Sequence, residues 1–147
     1  MTPLERANRV ARTMIEKDVA STDLGIVCDA AAPGTSVCHL QLKPSHANGH
    51  GTCHGGVIFT LADTAFAIAC NSYNDIAVAQ HNTISYIAPG VIGTTLTATA
   101  TEASRHGRSG VYDVCESDEN GAMIALFRGC SRQIKGHVFD EENDRVS

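Results

Sequence analysis

One stretch constrains this chain more than any other: GGVIFTLADTAFAIACNSY, from Gly55 to Tyr73. Its apolar side chains fall on nearly every side of a helix of about five turns. A helix apolar all round is a buried one, so the remaining chain has to supply the layer that covers it. Ala62, Ala65, Ala67 and Ala69 keep the helix slim, which lets another backbone come close. Asp63 breaks the pattern. Holding an ionised carboxylate out of water costs several kcal/mol unless something compensates it, a sum comparable with the net stability of a small domain. Two explanations stay open: an ordinary structural role, pairing with an arginine or capping another segment, or chemistry at a position that is not fully covered.

Residues 3–17 alternate charge with Leu4, Val10, Met14 and Ile15, which predicts a short amphipathic helix. LGIVCDAA and TSVCHLQL, separated by Pro33-Gly34, predict a strand, a turn and a second strand. KPSHANGHGTC is a polar, glycine-rich loop. After Asn74-Asp75 the runs IAVAQHNTISYIAP, GTTLTATATEASRHG, SGVYDVCESDENG and AMIALFRGCSRQIK predict four more strands, the third turning at Glu119-Asn120-Gly121. The order is helix, two strands, long buried helix, four strands. That is an α+β arrangement, an antiparallel sheet wrapped around one long central apolar helix. The 147 residues make a single domain, 1–147, with its core over about 24–136 and an acidic tail, 137–147, expected to fray.

A formal net charge of −5 and the lack of a dense basic run argue against a nucleic-acid partner. No run of about 18 apolar residues predicts a membrane span. The N-terminal MTPLERANRVARTMIEKD is charged throughout and lacks the apolar core of a signal peptide, so the expected compartment is the cytoplasm. The six cysteines form no CxxC pair and are expected to be reduced, mostly small buried side chains. His46, His50 and His54 recur every fourth residue, a spacing that would align metal ligands on a helix. Pro44, Gly49 and Gly51 oppose a helix there, and no metal site is expected.

Gly55-Gly56 opens the long helix. Helix N-termini leave amide N–H groups unpaired with the positive end of the macrodipole behind them, and glycine allows a ligand to approach. A carbonyl oxygen held there is polarised, the arrangement of an oxyanion hole, although a tight turn explains the same glycines. Gly55 and Asp63 lie about 12 Å apart along a helix, too far for one carbonyl to touch both. Two copies packed antiparallel about a two-fold axis bring Gly55 of one near Asp63 of the other, and two-fold dimers are the commonest oligomers. Other nucleophiles fit less well. Gly107-Arg108-Ser109-Gly110 lacks the GxSxG spacing, and Cys53 and His54, as sequence neighbours, seldom face each other productively.

The block NGHGTCHGGVIFTLADTAFAIACNS resembles the PaaI-type acyl-CoA thioesterases of phenylacetate catabolism, members of the hotdog superfamily. The shared pattern is Asn, a glycine-rich gap, His-Gly-Gly, and Asp eight residues beyond the first glycine of that pair. ISYIAPG, GTTLTATAT, GRSGVYDV and ALFRGCSRQI extend the likeness over roughly residues 24–136. The resemblance implies a hotdog fold, no cofactor, and hydrolysis of an aryl- or hydroxyarylacetyl-CoA to the free acid and coenzyme A. It makes Asp63 the catalytic carboxylate and the Gly55 N–H the group that polarises the thioester carbonyl. Asn48 and His54 flank the reacting group, and the Thr64 hydroxyl helps hold the water or the carboxylate. Gly56, Tyr86 and Pro89 lie beside the ligand. The implied assembly is a homodimer with a continuous sheet, paired further into a homotetramer.

For coenzyme A itself, Arg105, His106, Gly107, Arg108 and Ser109 in SRHGRSG offer two guanidinium groups on a turn, which suit phosphate oxygens. A solvated loop is the plain alternative. Thioester hydrolysis needs little more than one carboxylate and one oxyanion donor, because thiols, with pKa near ~8.5, leave without help from an acid. Asp63 is expected to deprotonate water, with direct attack through a mixed anhydride as the alternative. His54 is expected neutral and hydrogen-bonded, since a cationic imidazole opposes the helix dipole. Two further readings compete: a hotdog dehydratase or hydratase, in which histidine and acid are arranged differently, and a non-enzymatic acyl-CoA-binding module, which can lack the acid.

Overall fold

In the computed structural model, which describes residues 1–141, Thr2 opens the first helix, α1 (Pro3–Lys17). Its hydroxyl accepts the Glu5 amide while the Glu5 carboxylate reaches back to the Thr2 amide, a reciprocal cap. Ala7, Val10 and Ala11 form the buried face of α1, which packs on the first strand. A second helix, α2 (Val19–Leu24), stands where the sequence reading assigned no element. Asp18 caps it by accepting the Ser21 amide, and Gly25 ends it at φ 102°, a left-handed conformation that glycine adopts without strain.

The remaining elements are β1 (Val27–Ala32), β2 (Thr35–Gln41), a 3-10 turn at Pro44–His46, α3 (Gly55–Asn71), β3 (Asp75–Tyr86), β4 (Thr95–His106), β5 (Ser109–Ser117) and β6 (Met123–His137). All strand pairs are antiparallel, in the order β1-β2-β4-β5-β6-β3. The sheet wraps α3, as expected for a hotdog fold. Leu61, Ala62, Ala65 and Ala69 are sealed against it. Phe66 fills the centre, 5.8 Å from both the Tyr112 and the Phe127 ring centroids. Its ring lies on Gly129, where an added Cβ would come within 2.7 Å of it. Gly129→Ala is therefore expected to destabilise the fold by about 1–3 kcal/mol, as overpacked cores do. The denaturant midpoint measures this, and an unchanged midpoint would contradict the packing described.

The expectation of a helix buried on all sides needs correction. Gly56, Thr60, Asp63 and Ala67 recur at three- and four-residue spacing and keep access to solvent, so one stripe of α3 is uncovered. Beside that stripe runs β3, an edge strand bonded, among the described strands, to β6 alone. It is 12 residues long, without lysine or proline, and exposed from Val78 to His81. Such an edge is an open template for a further strand.

The C-terminal tail does not start to fray where expected. His137 belongs to β6, and Asn74, at φ 74°, receives the chain beyond it. Its carbonyl accepts the Val138 amide, and its side chain both accepts from and donates to the Phe139 backbone. Glu141 pairs with Arg6 of α1. The rest of the expected tail, 142–147, lies outside the described residues. Among the described residues no helix is long and apolar enough to cross a membrane.

Candidate active site

The loop before α3 is built around Asn48, a residue the sequence reading selected for chemistry. Asn48 Oδ1 accepts the amides of His50 and Thr52, and its Nδ2 donates to Thr52 Oγ1 at 3.1 Å. The Cys53 amide donates to the Gly90 carbonyl, strapping the loop to the segment after β3 that contains Pro89. His46 is buried with both ring nitrogens engaged, Nδ1 by the Lys43 amide and Nε2 by the Leu24 carbonyl, so it serves the loop rather than a metal.

His54 is the N-cap of α3. Its Nδ1 accepts the Gly56 amide at 2.9 Å, which leaves the ring proton on Nε2. Gly56 thus has its amide taken. The Gly55 amide has no acceptor among the described residues, and it stands at the positive end of a 17-residue helix. Tyr86 fixes that peptide from β3, its hydroxyl donating to the Gly55 carbonyl at 3.0 Å. Its ring also lies 3.2 Å from where a Gly55 Cβ would sit, so a larger residue there needs the Tyr86 ring to give by a few tenths of an ångström. His54, Gly55, Gly56 and Tyr86 are brought together, with Asn48 and Pro89 on the adjoining loops.

Asp63 lies two turns along the uncovered stripe and is half-buried. Among the described residues no cation acts on it, which argues against the arginine-paired explanation. Its hydrogen-bond donor among those residues is Asn82 Nδ2 on β3, at 3.2 Å. Burial pushes its carboxyl pKa above the ordinary value, the Asn82 bond pulls it down, and the charge of Asp18 pushes it up. Thr64, expected to assist the carboxylate, is engaged elsewhere. Its hydroxyl is 2.8 Å from the Ser21 hydroxyl, which donates to Asp18, and 2.8 Å from the Thr60 carbonyl. The chain Asp18–Ser21–Thr64 braces α2 against α3 instead.

Arg105, His106, Gly107, Arg108 and Ser109 form the tight β4–β5 hairpin, with Gly107 at φ 60°. It sits at the opposite end of α3 from Gly55. The Arg105 guanidinium stacks 3.6 Å over the Tyr73 ring, and Tyr73 and Tyr112 both donate to Glu102 Oε1 at 2.9 Å. Burial, together with that carboxylate, pushes both phenols up, so each stays a donor. The cleft there is lined by Tyr73, Asp75, Arg105, Arg108, Ser131 and Gln133. Within one chain, roughly 25 Å of helix separates this basic hairpin from the Gly55 amide.

Sequence reasoning missed Asn82. In a strand of alternating character it reads as one more outward polar residue, and only the fold sets it opposite Asp63, 19 positions away.

Comparison with known proteins adds to this geometry. The family model described as Thioesterase superfamily matches residues 50–125. The acyl-coenzyme A thioesterase PaaI of Escherichia coli K12 is 42% identical over 131 residues, 89% of this chain and 94% of that protein. The solved structure of the E. coli PaaI protein from the phenylacetic acid degradation operon superposes with a TM-score of 0.91 at 40% identity, covering 92% of this chain and 99% of that one. The TT0310 protein of Thermus thermophilus follows with a TM-score of 0.77 at 35% identity, covering 80% and 98%.

Proposed function

The chain belongs to the thioesterase superfamily as an acyl-CoA thioesterase of the PaaI type, and from that premise we propose that it hydrolyses arylacetyl-CoA, phenylacetyl- or hydroxyphenylacetyl-CoA, to the free acid and coenzyme A. One observation carries the assignment of roles. Among the described residues, a half-buried carboxylate without a cation and a helix N-terminal amide without an acceptor occupy the same partly uncovered helix, eight residues apart.

The thioester carbonyl accepts the Gly55 N–H at the positive end of α3, and His54, with its proton on Nε2, flanks it. Asp63 removes a proton from water as the water oxygen bonds to the carbonyl carbon. Negative charge then builds on the carbonyl oxygen against the Gly55 amide. Collapse of the tetrahedral intermediate breaks the C–S bond and releases the thiolate, which the proton held by Asp63 can neutralise. The upward push of burial on Asp63 makes it a stronger base than a solvated aspartate.

The two roles fall on one bond when two chains meet. Antiparallel packing of the uncovered stripes of α3, with the exposed edges of β3 alongside, sets Gly55 against Asp63 of the partner subunit. The same operation carries the partner's Arg105 hairpin to the Gly55 end, within reach of the phosphates of a bound coenzyme A. We therefore read the functional unit as a homodimer with two sites, and a pair of such dimers as the assembly.

Following free thiol across phenylacetyl-, hydroxyphenylacetyl-, benzoyl- and straight-chain CoA esters tests the substrate. The arylacetyl esters are expected to give the highest kcat/KM, and a straight-chain ester turned over faster would overturn the acyl preference.

A further inference from the structure

Asn82 uses its side chain in an unusual way. Nδ2 donates to Asp63 Oδ1 at 3.2 Å, while its own Oδ1 is shut away from solvent without a donor among the described residues. For stability alone this is a poor arrangement, because an unmatched buried acceptor costs about as much as one such hydrogen bond contributes. An apolar side chain of similar shape would serve β3 equally well. What the amide changes is Asp63.

The contact is held from both sides. Asn71, in the last turn of α3, accepts the Ala77 amide at 2.9 Å and donates to the Ala77 carbonyl at 3.0 Å, tying β3 to the helix. Further along, the β3–β6 ladder sets Asn82 opposite Gly129. Among the described residues, the ionisable groups that interact electrostatically with Asp63 are Asp18, from the junction of α1 and α2, and Cys70, farther along α3. Neither attracts a negative charge. The Asn82 amide is the group that favours the carboxylate, against both burial and Asp18.

We propose that Asn82 is a positioning residue for the hydrolysis: its amide pins Asp63 Oδ1 and leaves the second carboxylate oxygen turned toward the attacking water. This rests on the reading of Asp63 as the general base. It adds a residue that the sequence pattern did not select, and it makes the edge strand β3 part of the catalytic apparatus.

The test is the pH profile of kcat/KM with phenylacetyl-CoA for Asn82→Leu and Asn82→Asp, with Asp63→Asn alongside. Loss of the donor is expected to move the acid limb up by about one pH unit, a deficit of about tenfold at the acid end that shrinks toward neutral pH. Asn82→Asp sets a second carboxylate beside the first and is expected to move the limb further. A merely structural role lowers the rate uniformly and leaves the limb in place, and that outcome overturns the proposal. If Asn82→Leu does not fold, the near-isosteric Asn82→Asp decides the same question. Wild-type turnover in Asp63→Asn would remove the base assignment and this inference with it. An inactive Asp63→Asn with an unmoved limb in the Asn82 variants would remove this inference alone.

Discussion

Asp63→Asn protein is expected to fold normally and to lose about a thousandfold in kcat, the range that general-base catalysis supplies. The substitution keeps the shape of a half-buried side chain on the uncovered stripe of α3 and removes only its capacity to take a proton. Gly55→Pro is the complementary lesion. Proline at the first position of a helix is well tolerated, and His54, at φ −59° and ψ 134°, already has the conformation that a residue before proline prefers. The change deletes the one N–H assigned to the thioester oxygen, with Tyr86 yielding slightly to the ring. Each variant alone should be inactive. Mixed in equal amounts and allowed to exchange subunits, they are expected to recover about a quarter of the wild-type rate, since half the dimers are mixed and each holds one intact site. Verified mixed dimers without activity would show that the two groups do not act on the same bond.

The second large effect concerns Glu116, which no step of the reaction uses. It points inward from β5 between Ala98 and Ala125, wholly buried, and neither carboxylate oxygen has a partner among the described residues. Burial pushes its pKa up to about 9, so at neutral pH it is a protonated acid. The unfolded chain ionises it near its ordinary value of 4.5. Below that value both states hold the proton and nothing is lost. As pH rises from there toward 9, the unfolded state alone gains by ionising, and stability falls by about 1.4 kcal/mol per unit. Wild-type protein is therefore expected to lose several kcal/mol between mildly acid and alkaline pH. Glu116→Gln should lack most of that slope, whatever its offset at low pH. Denaturant midpoints measured across that range decide the matter, and parallel curves for the two proteins would show that Glu116 is not the cause.

How much of this was legible in the sequence depended on whether the signal was local. The start of α3 was legible because two glycines abut an apolar helical run, and Asp63 because it interrupts that run. The hairpins followed from Pro33-Gly34 and from Glu119-Asn120-Gly121, where Asp118 Oδ1 closes the turn by accepting the Asn120 and Ala122 amides. Helix α2 was not legible. VASTDL has no apolar period, and Asp18 and Gly25 hold it from its ends. Glu116 was hidden in CESDEN, which reads as the approach to a turn, while strand alternation turns it inward. Asn82 and the destination of the Thr64 hydroxyl depend on neighbours 19 and 43 positions away, and no local pattern encodes such distances.

Strand β3 marks the border of the single chain, yet it carries both Tyr86, which steadies the Gly55 peptide, and Asn82, which steers Asp63. Anything that settles on this border, whether a twin subunit, a peptide or an engineered cap, also leans on the acid and the amide at once. Dilution, salt or a rival strand would then register as a change in turnover before any change in shape, which makes the outermost strand the natural place to install a control on this enzyme.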